Sequence, residues 1–331
     1  MSLALLANKA EGHRGLLIGE PQAIVLPGQR PIFTYVCPVR LPPGCMARPG
    51  RIRWRIGSGS AMTQDAARQI CLLEAIERYS LQYREDDPRE IESTGLCASE
   101  KRMADAHDLL LGHPGRPPDL APVDSRGCAA GASLADAAVR GLLELVEHEM
   151  TAAWHSGRSG FAAIARAEGD TAIAAINRWL ASQGRKIRML GMRHASGAFI
   201  VIAICTHRDG SRAAIGSAAG TDLGQTQLHA CLEAAVLSFN LAAMELSEPD
   251  EATMAPGDRR TLAIYRGEIP LPKMADEEPT GQRTATANPF DGLKPEAVLH
   301  RLIRASGMKI AIFDLTRPEA SIPVARVQGL A

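Results

Sequence analysis

Three stretches of this 331-residue chain share one plan, and that repetition limits the fold more than any other feature of the sequence. Gly57-Ser58-Gly59-Ser60-Ala61-Met62-Thr63 leads into QDAARQICLLEAIERYS. Gly127 to Ser133 (GCAAGAS) leads into LADAAVRGLLELVEHEM, and Gly216-Ser217-Ala218-Ala219-Gly220-Thr221 into DLGQTQLHACLEAAVLSFN. Each reads as a small-residue loop, then a Ser or Thr able to cap a helix, then a helix with Glu eleven or twelve residues past the cap: Glu74, Glu144 and Glu233. Ser133-x-x-Asp136 resembles a capping box with Asp in place of Glu, and Asp65 puts an acid in the first turn of the first helix. A single glycine loop of this kind is ordinarily just a turn before a helix. Three in one order predict related units around residues 57–82, 127–155 and 216–240, within one domain over 1–331, and a site shared among their Glu residues.

Between these units, β-branched and apolar runs predict strands at 32–39, 186–193, 199–206, 309–315 and 323–327, with further helices at 171–182 and 295–305. Helices and strands mix without strict alternation, so the expected class is α+β with mixed or antiparallel sheets. Residues 84–126 are charged and rich in Pro and Gly, and 244–288 show little periodicity. Both are expected to be surface excursions, the second a functional lid or a disordered tract.

Charge balance excludes some partners. Lys+Arg and Asp+Glu number 37 each, so no whole-molecule field steers the chain toward nucleic acid or an anionic membrane. Aromatic residues make up only 4%, which leaves the core to aliphatic and Ala packing. No apolar run approaches the roughly 18 residues of a membrane span. Residues 1–8 lack the cationic start of a signal peptide. Seven Cys without a C-x-x-C pair suggest reduced thiols, so a cytoplasmic location is expected.

The chemistry-bearing groups lie on the repeated helices. Glu74 and Glu77 stand at i, i+3 with Arg78 next. Glu144 and Glu147 repeat the spacing with His148 next, and Arg140 and Asp136 lie one and two turns back on the same side. An isolated E-x-x-E is usually a solvated face. Here Leu72, Leu73 and Ile76 flank the first pair and Leu142, Leu143, Leu145 and Val146 the second, so both pairs sit in apolar helices. Buried carboxylates need a proton, a cation or a metal. Oxygen ligands of this kind suit Mg²⁺ shared with substrate phosphates, although no G-x-x-x-x-G-K-[ST] loop is present. Cys71, Cys128 and Cys231 lie in or beside the units and are expected to be buried small hydrophobes.

The segment Gly57-Ser-Gly-Ser…Ala67…Glu74-Ala-Ile-Glu77-Arg78 resembles the first signature of the YcaO superfamily, Gly-Lys-Gly followed by Ser-x-x-x-Glu-x-x-Glu-Arg. Gly127-Cys-Ala-Ala-Gly131…Arg140-Gly141…Glu144-Leu-Val-Glu147-His148 is similar to the second, and Gly216-Ser-Ala-Ala…Leu232-Glu233 to the third. Asp314-Leu-Thr316…Ile322-Pro-Val324…Val327…Gly329-Leu330 is similar to the closing stretch. The resemblance spans about 31–331. It implies an enzyme that uses ATP and Mg²⁺ to activate a peptide backbone amide, giving an azoline, thioamide or amidine according to the nucleophile.

By carry-over, Glu74, Glu77, Asp136, Glu144 and Glu147 hold Mg²⁺ and phosphates, Ser58 and Arg78 join the nucleotide site, and Arg78, Arg140 and His148 are candidate catalytic residues. His148 reads equally as a core or surface imidazole. The departures are Ser58 for the Lys of Gly-Lys-Gly, Ile70 for the first motif's Ser, Ala129 and Ala132 for the second motif's Ser and Asn, Arg140 for its Gln, and His148 for its last Arg. The stop at Gln328-Gly-Leu-Ala331 lacks a proline-rich extension and tilts the expectation toward a thioamide. The implied partners are a precursor peptide or protein, a separate leader-peptide-binding or sulfur-delivery protein, and a second copy of the chain in a homodimer. The competing expectation is a degenerate, non-catalytic scaffold that binds peptide or a partner.

Overall fold

The computed structural model describes residues 17, 19–42, 45, 56–96, 101–164, 170–272 and 288–330; residues 1–8, Cys97 and 273–287, on which some expectations fall, lie outside them. In chain order the elements are β1 (Gln22–Ile24), β2 (Phe33–Pro38), β3 (Ile56–Ala61), α1 (Gln64–Ser80), β4 (Glu90–Glu92), β5 (Met103–Asp105), α2 (Ala106–Leu109), β6 (Cys128–Ala130), α3 (Leu134–His155), β7 (Ala162–Ala163), α4 (Thr171–Ser182), β8 (Arg185–Arg193), β9 (Phe199–His207), β10 (Ala214–Gly220), α5 (Leu223–Leu246), α6 (Pro256–Arg266), α7 (Pro295–Ser306), β11 (Ile310–Asp314) and β12 (Val324–Gly329).

The strands form antiparallel sheets in the orders β1-β2-β3, β10-β9-β8-β7 and β11-β12-β6, with β4 and β5 as a separate pair. This is the α+β class expected. Central β9 reads FIVIAICTH, and its seven inner residues are all buried because both sheet faces are covered. Val201, Ala203 and Cys205 join Ile173, Ile176 and Leu180 of α4 and Ala230 and Ala234 of α5. Ile200, Ile202 and Ile204 join Leu142 and Val146 of α3, Leu299 and Leu302 of α7, and Ile312 and Val327.

Two expectations about the repeated segments change. The small-residue stretches are strands, not loops: β3, β6 and β10 each run into a helix, and β3 and β10 lie at the edges of their sheets. Gly, Ser and Ala have little strand preference of their own; what selects them is closeness to the following helix. A Cβ on Gly59 would lie 2.3 Å from Ala67 O and Cys71 N of α1, and one on Gly216 would lie 2.4 Å from Ala230 O and Ala234 N of α5. Gly127 is required differently, at φ 73° beneath α3 where a side chain would strike Val327 O.

The second change is a cap. Thr63 Oγ1 accepts from Ala66 N and Ser133 Oγ from Asp136 N, as expected, but α5 is capped by Asp222, whose side chain accepts from Gln225 N, and not by Thr221. With that shift, Thr63 to Glu74, Ser133 to Glu144 and Asp222 to Glu233 each span eleven residues.

The excursions carry regular structure. Within 84–126 lie the β4–β5 pair and α2, and Arg317 pins the segment by pairing with Asp87 and donating to Ser80 O (3.2 Å) and Gln82 O (2.8 Å). Within 244–288 lies α6, opened by Pro256 and closed by Gly267 in the left-handed conformation. Leu262, Ile264 and Tyr265 of α6 are buried.

Gly216→Ala should destabilise the protein by about 1–3 kcal/mol because backbone on both sides cannot move aside. Gly257→Ala, with nothing within 4 Å of the added carbon, should be neutral or slightly stabilising. Urea denaturation of the two variants beside wild type checks the difference.

Candidate functional site

The carboxylates of the three long helices meet at the strands beneath them. Edge strand β3 offers Ser58, whose N and Oγ both donate to Glu74 Oε2 at 2.8 Å. Edge strand β10 offers Ser217, whose N donates to Glu233 at 2.8 Å. Both pairs span sixteen residues, so in each case a Glu from the following helix satisfies an edge amide that its own sheet leaves unpaired. Ser217 also joins two helices, since its Oγ donates to Glu147 at 2.6 Å and Ala219 N reaches the other Glu147 oxygen at 3.2 Å.

Arg78 lies among the acids of α1, its Nη2 donating to Glu74 Oε1 at 2.9 Å and its Nη1 standing 3.8 Å from Glu77. Burial raises the Glu77 carboxyl well above its ordinary range, against Arg78, with Glu144 and Glu74 adding to the rise. Although burial works against its charge, Arg78 is held more firmly protonated by Glu77 and Glu74. Burial also raises Glu147, against the Ser217 hydrogen bond, and Glu144 adds to that rise. Glu233 keeps contact with water, yet burial and then Glu147 push it up to about 7. A side chain that touches solvent while being desolvated lines a recess. Glu74, Glu77, Glu144, Glu147 and Glu233 therefore act on one another across a shared recess, with Arg78 inside it.

The remaining expected residues divide. His148 Nε2 stands 3.7 Å from Glu144, which raises the imidazole pKa, so its charge belongs to the cluster. Asp136 is committed locally: its Oδ2 accepts from Ala132 N at 2.9 Å and stands 3.4 Å from Arg140 Nε, in the first turn of α3. The structure thus sets Asp136 two turns from Glu144, apart from the four Glu. Ser58, expected at the nucleotide, is the holder of Glu74. The thiols of Cys71, Cys128 and Cys231 are free and fully buried. Burial raises Cys128 well above its ordinary range and pushes Cys231 up to about 12, so neither is a ready nucleophile.

The donor set fits Mg²⁺. It is carboxylate oxygen only, and burial raises the proton affinity of two of its members, Glu77 and Glu147, so that a cation would be favoured in place of their protons. It is no finished cage. Among the described residues the one trio of potential ligand atoms within 4.8 Å of one another is Asp105, His107 and Asp108, away from this recess. Mg²⁺ commonly keeps waters and shares one or two carboxylates with phosphates, so the open spacing suits an ion that arrives with a nucleotide.

The YcaO family model, described as YcaO cyclodehydratase, ATP- and Mg²⁺-binding, matches residues 110–328. The chain belongs to the YcaO family. ATP and Mg²⁺ are thus the cofactors of the family to which it belongs. The match includes the second and third glycine-bearing units, while the first lies before it. Solved structures extend the likeness of fold. A heterocyclase in complex with substrate and cofactor is 17% identical, with a TM-score of 0.77 over 98% of this chain and 52% of that one, so this YcaO chain spans about half its length. YcaO from Methanopyrus kandleri, bound with AMPPCP and Mg²⁺, is 20% identical with a TM-score of 0.69, covering 98% and 89%. A chain of the E. coli microcin synthetase McbBCD complex is 14% identical with a TM-score of 0.66, covering 93% and 87%. No curated protein matches. Among the described residues, no helix of this YcaO chain is long and apolar enough to cross a membrane.

The residue that sequence reasoning missed is Ser217. Its signal was available as the sixteen-residue spacing from Ser217 to Glu233, which repeats Ser58 to Glu74. Its bond to Glu147 had no sequence signal, because it depends on how α3 lies against β10.

Because Glu233 holds its proton up to about 7, against an ordinary 4.5, the native state binds protons more tightly than the unfolded chain between those values, and stability falls as pH rises through that window. Glu233→Gln should flatten this slope and add about 1 kcal/mol near pH 8, less than the full shift because the side chain touches water. Urea midpoints near pH 5 and pH 8 measure it; an unchanged slope contradicts the assignment.

Proposed function

We propose that this YcaO protein is an enzyme that uses ATP and Mg²⁺ to activate a backbone amide in a ribosomally made peptide or protein. The observation that carries this reading is the shared recess around Arg78 in which burial, with Glu144 and Glu74 adding to it, raises the proton affinity of Glu77, and burial, with Glu144 adding, raises that of Glu147. Carboxylates in that state bind a divalent cation in exchange for protons. Glu74, Glu77, Glu144 and Glu147 would hold Mg²⁺, and Arg78, fixed by Glu74, would keep their charge in check. Asp136 would act one step away, by holding Arg140.

An amide oxygen is a poor leaving group. Once a nucleophile has added to the carbonyl carbon, transfer of the terminal phosphoryl group of ATP to that oxygen lets it depart as phosphate. The recess residues would align the phosphates with the substrate oxygen and exclude water. His148, its pKa raised by Glu144, would supply positive charge where the family pattern has Arg. A neighbouring Cys, Ser or Thr side chain as nucleophile gives an azoline and external sulfide a thioamide, and mass spectrometry separates loss of water from exchange of oxygen for sulfur. The substrate would be presented by a separate leader-peptide-binding or sulfur-delivery protein, and the chain would work as a cytoplasmic homodimer.

One observation favours a second reading, a non-catalytic scaffold. Ser58 stands where the family pattern has Lys and spends its side chain on Glu74, leaving no cation from β3 for a phosphate.

Calorimetric titration decides between them. Wild type should bind ATP only with Mg²⁺, and Glu74→Gln and Glu144→Gln should each lower that affinity by about tenfold or more while leaving the protein folded. Equal affinity in all three proteins refutes the Mg²⁺ assignment. Absence of binding by folded wild type favours the scaffold.

A further inference from the structure

Arg140 of α3 and His229 of α5 occupy the same place in their units, seven residues after the caps Ser133 and Asp222 and four before Glu144 and Glu233. One helical turn, about 5.4 Å, separates each from its Glu on the same helix face. Both side chains are exposed, and their helices are tied together by Ser217, which bonds both Glu147 of α3 and Glu233 of α5; burial and then Arg140 hold His229 below its ordinary range. Their donors are uncommitted. Arg140 gives only Nε to Asp136 at 3.4 Å, and among the described residues its terminal nitrogens and the His229 ring donate no hydrogen bond. The matching position on α1 is the apolar Ile70. The recess therefore has a row of acids and, one turn away on two of its helices, a pair of free nitrogen donors.

We propose that Arg140 and His229 together grip the nucleotide's phosphates, Arg140 supplying from α3 the positive contact that Ser58 does not supply from β3 and His229 adding a ring N–H donor from α5. This rests on the ATP-binding reading above. Mg²⁺ at the Glu row neutralises only the phosphate oxygens it touches; beyond Arg78 and His148, Arg140 is the cation placed to meet oxygens turned away from the metal, with His229 beside it as an N–H donor. A guanidinium fork with two free nitrogens matches a phosphate edge, and an imidazole N–H opposite it closes the grip. An acidic peptide segment offers carboxylates to the same donors. The phosphates are favoured because the pair lies one turn from the proposed Mg²⁺ ligands, within reach of the same ligand.

The test is calorimetric titration of Mg²⁺-ATP, and separately of a short oligoglutamate peptide, into the full chain as wild type, Arg140→Gln, His229→Ala, the double variant, and the double variant carrying Ser58→Lys. Each single substitution should weaken ATP binding by about tenfold, the double variant should lose less than the product of the two, and Ser58→Lys should restore part of the loss. Circular dichroism should report an unchanged fold, since both sites are exposed. Unchanged ATP affinity in both single variants, where wild type binds, overturns this proposal and leaves the ATP reading standing. Loss of oligoglutamate binding with ATP binding intact overturns it in favour of a peptide site. Absence of ATP binding by wild type overturns both together.

Discussion

The recess rests on one contact made twice: a glutamate carboxylate on the free amide of an edge strand, Glu74 on Ser58 and Glu233 on Ser217. An edge strand carries unpaired N–H groups that invite another chain. Here the following helix supplies the partner, and it can do so only because Gly57, Gly59 and Gly216 let helix backbone lie against strand backbone. The same contact fixes which way the carboxylate points. Each acid spends one oxygen on the strand and keeps the other toward the recess, where Arg78 meets Glu74.

Gathering five carboxylates in one place works against folding, and the charges around them do not cancel. Arg78 and His148 offset part of the repulsion, and Glu77, Glu147 and Glu233, which burial raises, bind protons more tightly than free carboxylates do. A site in that condition is stabilised by whatever positive charge replaces those protons. Behind it, Arg326 is buried and paired across strands with Cys128, its Nη1 donating to Asp124 O at 2.8 Å. Burial lowers the Arg326 pKa, and Glu144 is among the charges that oppose that fall, so this buried cation is electrostatically linked to the acids of α3.

Much of this was legible in the residues, for identifiable reasons. The caps Thr63 and Ser133, the helix at 171–182 and strands such as 186–193 follow from local chemistry, because capping and periodicity are written within a few residues. The E-x-x-E pairs announced themselves by their apolar flanks. The strand character of the Gly-Ser-Ala stretches was hidden, since it comes from a helix packed on them and not from their own preference. Polar α6 was hidden for the same reason, its order coming from Leu262 and Tyr265 buried against α5 and β10. Sequence shows which face Asp136 is on; that one of its oxygens also accepts from Ala132 N had no signal there.

The position of β12 has a consequence for the order in which the molecule is made. Residues 324–329 form the middle strand of their sheet, between β11 and β6, and β6 leads into the helix that carries Glu144 and Glu147. Gly131 N donates to Pro323 O and Val327 N to Gly127 O, so the second unit is closed on both sides by chain made almost two hundred residues later. During synthesis, α1 and β3 can associate early, as can α5 and β10, because each pair is adjacent in sequence. The Glu144–Glu147 pair stays on a helix whose supporting strand lacks its neighbour until residues 324–329 emerge. The second unit thus gains its supporting strand only after residues 324–329 have emerged.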